Sequence, residues 1–129
     1  MAGHFQELTP VFIVDDVVPT RGFFRDRLGF HVIAEVEHRG APGFCMLQRD
    51  SVMVMIQSDA SVRDDAGESY VPGPYKASVY ITVDNVEAMV PTVADADVVL
   101  PLRRTPYGMH EIGVREPGGN LIVFASRLE

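Results

Sequence analysis

Four histidines, His4, His31, His38 and His110, are the side chains of this chain best suited to carry a proton or ligate a metal. Their spacing argues against both tasks. His31 and His38 flank one extended stretch rather than sitting one helical turn apart, as a zinc-binding pair would. His4 lies close to the N-terminus, and solvent exposure accounts for all three. His110 stands apart, between Tyr107 and Glu111. Neighbouring side chains of a strand point to opposite faces, so His110 and Glu111 cannot form a simple dyad. What remains for His110 is a hydrogen bond to a ligand or a structural role.

The carboxylates read in the same way. Asp15 and Asp16 precede a helix, where an Asp caps free amides and the dipole favours negative charge. Asp64, Asp65 and Glu68 fall in a long polar stretch, either as an attraction for a cationic ligand or as a solvated charge run. Cys45 has no cation beside it in sequence to lower its pKa, which makes it a small buried hydrophobe. The remaining chemistry is aromatic and thioether. Phe44, Met46, Met53, Met55, Tyr70, Tyr75, Tyr107 and Met109 lie on strands or on loops beside them. Flat rings and adaptable sulfurs suit an apolar cleft around a planar guest. Phe44, Tyr70, Tyr75, Tyr107 and His110 form the candidate ligand-binding set, with no catalytic residue and no metal ligand among them.

Composition bounds what must position these residues. A chain of 129 residues is one domain large enough for a real core. Hydrophobic residues at 47% and charged ones at 22% describe a globular chain rather than a disordered one. Apolar runs are shorter than the roughly 20 residues that span a bilayer, and MAGHFQELTP lacks the order of a secretory signal. One cysteine excludes an internal disulfide and makes the cytoplasm the expected compartment. A net charge of −7 with scattered Lys and Arg repels phosphate backbones, so neither nucleic acid nor a membrane is an expected partner. The same charge weakly favours a cationic small molecule.

LTPVFIV is a β-rich opening strand, and Pro19 suits the first turn of a helix that places Phe23, Phe24 and Leu28 on one side. Gly29 supplies its left-handed stop. FHVIAEVE alternates, and its wholly apolar set, Phe30, Val32, Ala34 and Val36, is expected to face the core. APGF reads as a turn; FCMLQR and VMVMIQ read as strands meeting at an Asp50–Ser51 corner. The polar stretch from 58 to 75 follows as a lid or linker. Then KASVYITVDNV echoes LTPVFIVDDV, setting Asp84 on Asp15 and Asn85 on Asp16. VEAMVPTVADA is the second helix, which Pro91 must bend or delay. VVLPL and a hairpin of MHEIGVRE and NLIVFAS around EPGGN complete the chain. The result is a single α+β domain over 1–129 with a β-α-β-β-β module written twice, over 8–57 and 76–126, joined by the 58–75 connection.

VFIVDDVVPTRGFFRDRLGF, the paired echo and YGMHEIGVREPGGNLIVFA resemble the vicinal oxygen chelate superfamily, most closely its bleomycin-resistance-like members. The resemblance implies two curled mixed sheets, usually completed in a homodimer. It also implies that metal-using members hold their ion at positions that correspond to Thr9, Met55, Ser78 and Val123. A divalent ion wants carboxylate or imidazole there, which none of the four supplies. The expected function is therefore metal-free and cofactor-free sequestration of a hydrophobic or cationic ligand in a dimer groove. The alternatives are a lyase, isomerase or dioxygenase of the same superfamily, using His110, Glu111 and the carboxylates of the long stretch, and an accessory domain acting through protein contacts.

Overall fold

The computed structural model describes residues 3–71 and 73–129. Met1, Ala2 and Pro72, which fall within the single domain and the 58–75 connection expected above, lie outside the described residues. Strands β1 (Val11–Val14), β2 (His31–His38), β3 (Ala41–Arg49) and β4 (Val52–Ser58) form one sheet in the order β1-β4-β3-β2. Strands β5 (Ser78–Thr82), β6 (Asp97–Arg104), β7 (Met109–Arg115) and β8 (Leu121–Arg127) form a second in the order β5-β8-β7-β6. Each sheet is mixed, with β1 parallel to β4 and β5 parallel to β8.

Equivalent caps start the two helical segments. The Asp16 carboxylate accepts from the Val18 amide at 3.0 Å, opening α1 (Val17–Gly22). The Asn85 side chain accepts from the Glu87 amide at 3.1 Å, opening a 3-10 turn over Val86–Met89. Pro91 then sits at the start of the short α3 (Val90–Val93), where its missing N–H costs no bond, so the proline delays the helix rather than bending it. α1 continues as a wider π-wound turn over Phe23–Arg27 and stops at Gly29, whose φ is +74°. Phe23, Phe24 and Leu28 are buried on its inner side.

One core serves both modules. Phe12, Phe24, Leu28 and Ile56 from the first pack in the same cluster as Val86, Val93, Ile112, Ile122 and Phe124 from the second. The Phe24 ring stacks on Phe12 at 5.6 Å and meets Phe23 and Phe30 edge-on at 5.8 and 5.2 Å. Cys45 and Leu47 line the same helix-facing side of the first sheet.

Three local expectations give way. In β2 the register shifts between Val32 and Ala34 and again between Val36 and Glu37. Val32 lies opposite buried Leu47, whereas Ala34 and Val36 lie opposite Met46 and Phe44 on the face turned away from the helices. A bulge adds one residue and so swaps every side chain beyond it to the other face. Glu35 lands opposite Cys45 on the helix side, where it pairs with Arg21 of α1. The turn expected at APGF lies earlier, at Arg39 and Gly40, both with positive φ, and Ala41 already belongs to β3. The polar 58–75 stretch contains α2 (Asp59–Ala66), capped by the Ser58 hydroxyl, and a 3-10 turn over Gly67–Ser69. α2 buries none of its residues.

The EPGGN segment acts as a clasp. Buried Glu116 accepts from the Thr20 hydroxyl at 2.7 Å, from the Asn120 side-chain amide at 2.6 Å and from the Asn120 backbone amide at 3.1 Å. Asn120 in turn accepts from the Ala77 amide at 2.8 Å, so one turn ties α1 to the start of β5. A β-carbon on Gly118 would meet Val14 at 2.5 Å and the Thr20 hydroxyl at 2.6 Å. Gly118→Ala is therefore expected to destabilise the fold by about 1–3 kcal/mol. A lowered urea midpoint with unchanged slope would show it.

Among the described residues no helix is long and apolar enough to cross a membrane.

Candidate functional site

Each sheet presents one face to the shared core and leaves the other open. On the second sheet, Tyr80 lies opposite Val123, Glu111 opposite Ala125, and Arg103 opposite Glu111. These residues share the open face, and the most concentrated polar chemistry there gathers on Glu111. Only 1% of Glu111 is exposed. Its Oε2 accepts from the Tyr80 hydroxyl at 2.6 Å. Its Oε1 accepts from the Tyr107 hydroxyl at 2.9 Å and from Arg103 through Nε at 3.0 Å and Nη2 at 2.7 Å.

A buried charge is tolerable only when paired and hydrogen-bonded, and this one is both. The Tyr80 hydroxyl, ahead of the Arg103 and Tyr107 bonds, holds the Glu111 carboxyl below its ordinary range despite burial. Burial, then the hydrogen bond to Glu111 and its charge, push the Tyr80 phenol up to about 12. Four donors meet a carboxylate with approximately four lone-pair directions. Three of the four fall on Oε1 and one on Oε2, so Glu111 is an anchor for its neighbours, its charge already answered by Arg103.

The turn between β6 and β7 holds Tyr107 in place. The Thr105 amide donates to the Met109 carbonyl at 2.8 Å, and the Met109 amide donates to the Thr105 hydroxyl at 2.9 Å. Gly108 closes the turn with a φ of +84°.

Tyr70 and Tyr75 come together elsewhere, with ring centroids 5.9 Å apart beyond α2. The Tyr70 hydroxyl donates to Asp59 at 2.7 Å, and that bond lowers the Asp59 pKa and raises that of Tyr70. Tyr75 lines a cleft of about 240 Å³ with Ile13, Asp59, Arg63 and Lys76. Ile13 lies opposite Gln57, which lies opposite Phe44, so this cleft adjoins the row of the first sheet that carries Phe44. His110 lies opposite Ser126, one residue out of step with Glu111, and its Nδ1 stands 3.9 Å from Glu87 on the helix side. The structure therefore brings together Tyr70 with Tyr75, and Tyr107 with Glu111, and separates His110 from both.

Two members of the Glu111 cluster, Tyr80 and Arg103, lie outside the candidate set that the sequence indicates. The alternation of SVYIT does carry a signal, since it sets Tyr80 on the same face as Ser78. Of the long-stretch carboxylates, Asp64 is engaged with His38 and Arg39 at 2.7 and 2.8 Å, and Asp59 with Arg63 at 2.6 Å, so neither joins Glu111 and His110 in a catalytic set. Burial raises the Cys45 thiol to about 11, which leaves it protonated and unreactive.

The donor set at the family's metal positions does not fit an ion. Met55 lies opposite Val11, and Val123 opposite Tyr80, and neither side chain offers oxygen or nitrogen. Thr9 and Ser78 add neutral hydroxyls. Among the described residues no three of His, Cys, Asp and Glu are grouped to hold a metal.

Two four-stranded mixed sheets, each read from a β-α-β-β-β module and sharing one core, define a class, and sequence comparison agrees with it. Residues 3–124 match the Glyoxalase/Bleomycin resistance protein/Dioxygenase superfamily, and the chain belongs to that superfamily. Among solved structures it is similar to a glyoxalase/bleomycin resistance protein/dioxygenase from Nocardioides. That match has TM-score 0.79 and 13% identity, and covers 100% of this chain and 87% of that one. It is similar to a lactoylglutathione lyase from Agrobacterium tumefaciens, with TM-score 0.73, 16% identity and coverage of 94% and 92%. It is also similar to a bleomycin-binding protein from Streptomyces verticillus, solved with copper(II)-bleomycin, with TM-score 0.66, 22% identity and coverage of 98% and 99%. At these identities the likeness shows the fold. No curated protein matches the chain in sequence.

Proposed function

We propose that this chain is a metal-free small-molecule-binding protein of the bleomycin-resistance kind, holding a hydrophobic guest in a groove between two copies without changing it. One observation carries the reading: the four positions at which metal-using relatives would hold an ion present two hydroxyls, a thioether and an isopropyl group. Lewis-acid chemistry has no donor set there.

The open sheet faces add support. Val11 and Val36 on the first sheet and Tyr80 and Tyr107 on the second are substantially exposed in a single chain. The cleft beside Tyr75 is smaller than the roughly 300–1,000 Å³ of a ligand site, so a second copy would have to supply the missing wall. A cationic guest, which net charge alone favours, has less to bind. Glu111 is already paired with Arg103, as Asp59 is with Arg63 and Asp64 with Arg39.

The test is thermal unfolding with two sets of additives. Nickel or zinc is expected to leave the midpoint unmoved. A planar apolar guest at a hundred times its Kd is expected to add about 2.7 kcal/mol of stability, because it binds only the folded state. Stoichiometric metal in protein purified without chelator, or metal-dependent turnover, would overturn the proposal. So would a solution mass of one chain under binding conditions.

A further inference from the structure

We infer that the open face of the second sheet selects a planar aromatic guest that carries an anionic group, with Arg103 as the selecting residue. The inference rests on the small-molecule reading above and names the class of guest.

An arginine side chain has five N–H donors. Arg103 spends one from Nε and one from Nη2 on Glu111. Of the remaining three, the Tyr107 hydroxyl engages one; among the described residues the others have no further partner, and 51% of the side chain is exposed. The fork is held as well as available. Glu111 is buried and bonded on both oxygens, and it fixes the Nε–Nη2 side of the guanidinium, leaving the Nη1 side uncommitted to it. A carboxylate, sulfonate or phosphonate matches that side in shape and charge.

Tyr80 and Tyr107 define the rest of the guest. Both hydroxyls point at Glu111. Their oxygens are tethered beside Arg103, while 48% of Tyr80 and 64% of Tyr107 remain open. Two rings held this way offer stacking surface at little further cost in side-chain entropy. The chemistry they complement is a flat ring with an anion attached, rather than a flat cation.

Charge at two ranges decides against the cation. The net charge of −7 belongs to the whole surface and is screened beyond a Debye length of about 8 Å at physiological salt. The contact with Arg103 lies inside that length. Locally the Glu111 carboxylate is neutralised by Arg103, and Arg115, four residues along β7 from Glu111, is engaged with Asp97 at 3.3 Å. Beside Tyr80 and Tyr107 the charged group that meets a guest is the Arg103 guanidinium, and Arg127, opposite Met109 on the same face, adds a second positive charge.

Three probes share a ring and differ in charge: 2-naphthoate, 2-naphthalenemethanol and (2-naphthylmethyl)ammonium. Titration calorimetry of the full chain is expected to show naphthoate binding at least about tenfold tighter than the ammonium, the size of one charge-assisted fork. Arg103→Lys keeps the charge but cannot serve Glu111 and the guest with one planar fork, so the preference should fall several-fold. Arg103→Gln combined with Glu111→Gln removes both charges without leaving a buried carboxylate unpaired. That double variant should bind naphthoate and the alcohol alike while keeping its circular dichroism. An ammonium that binds as well as naphthoate, or a preference that survives in the folded double variant, overturns the inference alone. If none of the three probes binds, the inference falls together with the reading beneath it.

Discussion

Phe24→Ala is expected to remove about 4 kcal/mol of stability, the cost of deleting a fully buried ring whose cavity cannot collapse. For a chain of this length that is a fall of roughly 12–16 °C in Tm. Phe24 is 0% exposed and touches three other rings, from β1, from its own π-wound turn and from Phe30 just before β2. Its cluster also includes Val86, Val93 and Phe124 of the second module, so the two modules should lose stability together in one transition. The informative comparison is Val36→Ala. If β2 alternated without interruption, Val36 would share the core with Val32 and its loss would be costly. With the bulge, Val36 is 58% exposed opposite Phe44, and the change is expected to stay within about 0.5 kcal/mol. Urea titrations of both variants decide between the two registers. A costly Val36→Ala would restore the uninterrupted strand, and a small effect of Phe24→Ala would mean that the modules do not share a core.

The difference between those two residues also marks where the sequence is legible. The doubled module shows because its punctuation is local and chemically strict: a short polar cap at Asp16 and at Asn85, a glycine forced into the left-handed region at 29, a proline admissible only at a helix start at 91. Each needs no knowledge of distant residues. The bulge in β2 has no such mark, since FHVIAEVE alternates cleanly and only its partners on β3 show that the faces swap. α2 is hidden for the opposite reason. It buries nothing, so it carries no apolar stripe, and its determinants are the Ser58 cap and the Asp59–Arg63 pair. In the candidate site, the opposite faces of His110 and Glu111 follow from strand geometry alone. The company Glu111 keeps does not. Tyr80 and Arg103 lie 31 and 8 residues away in sequence and are brought to it by strand order.

Glu111→Gln tests that company directly. The substitution keeps shape and one of the two acceptor oxygens, which Tyr80 and Tyr107 use separately, but removes the charge. A carboxylate held below its ordinary value of 4.5 stabilises the fold above that value, and the contribution is lost as pH falls through the lower folded pKa. Wild type and variant should therefore differ by about 2 kcal/mol near neutrality, as expected for hydrogen bonds that lose a charged acceptor, and converge in acid. Tyr80 works at the other end of the scale. Its pKa is raised from 10.0 to about 12, so its contribution is complete below 10.0 and disappears as pH rises towards 12. Tyrosinate absorbance of the four tyrosines should show a late step in wild type that moves to lower pH in the variant. The step should stay above 10.0, because burial is the larger cause of the shift and the substitution leaves burial in place. Because Asp59 raises Tyr70 as well, the comparison is made with Tyr70→Phe in both chains, and there a late step unmoved by Glu111→Gln would mean that the carboxylate does not hold Tyr80.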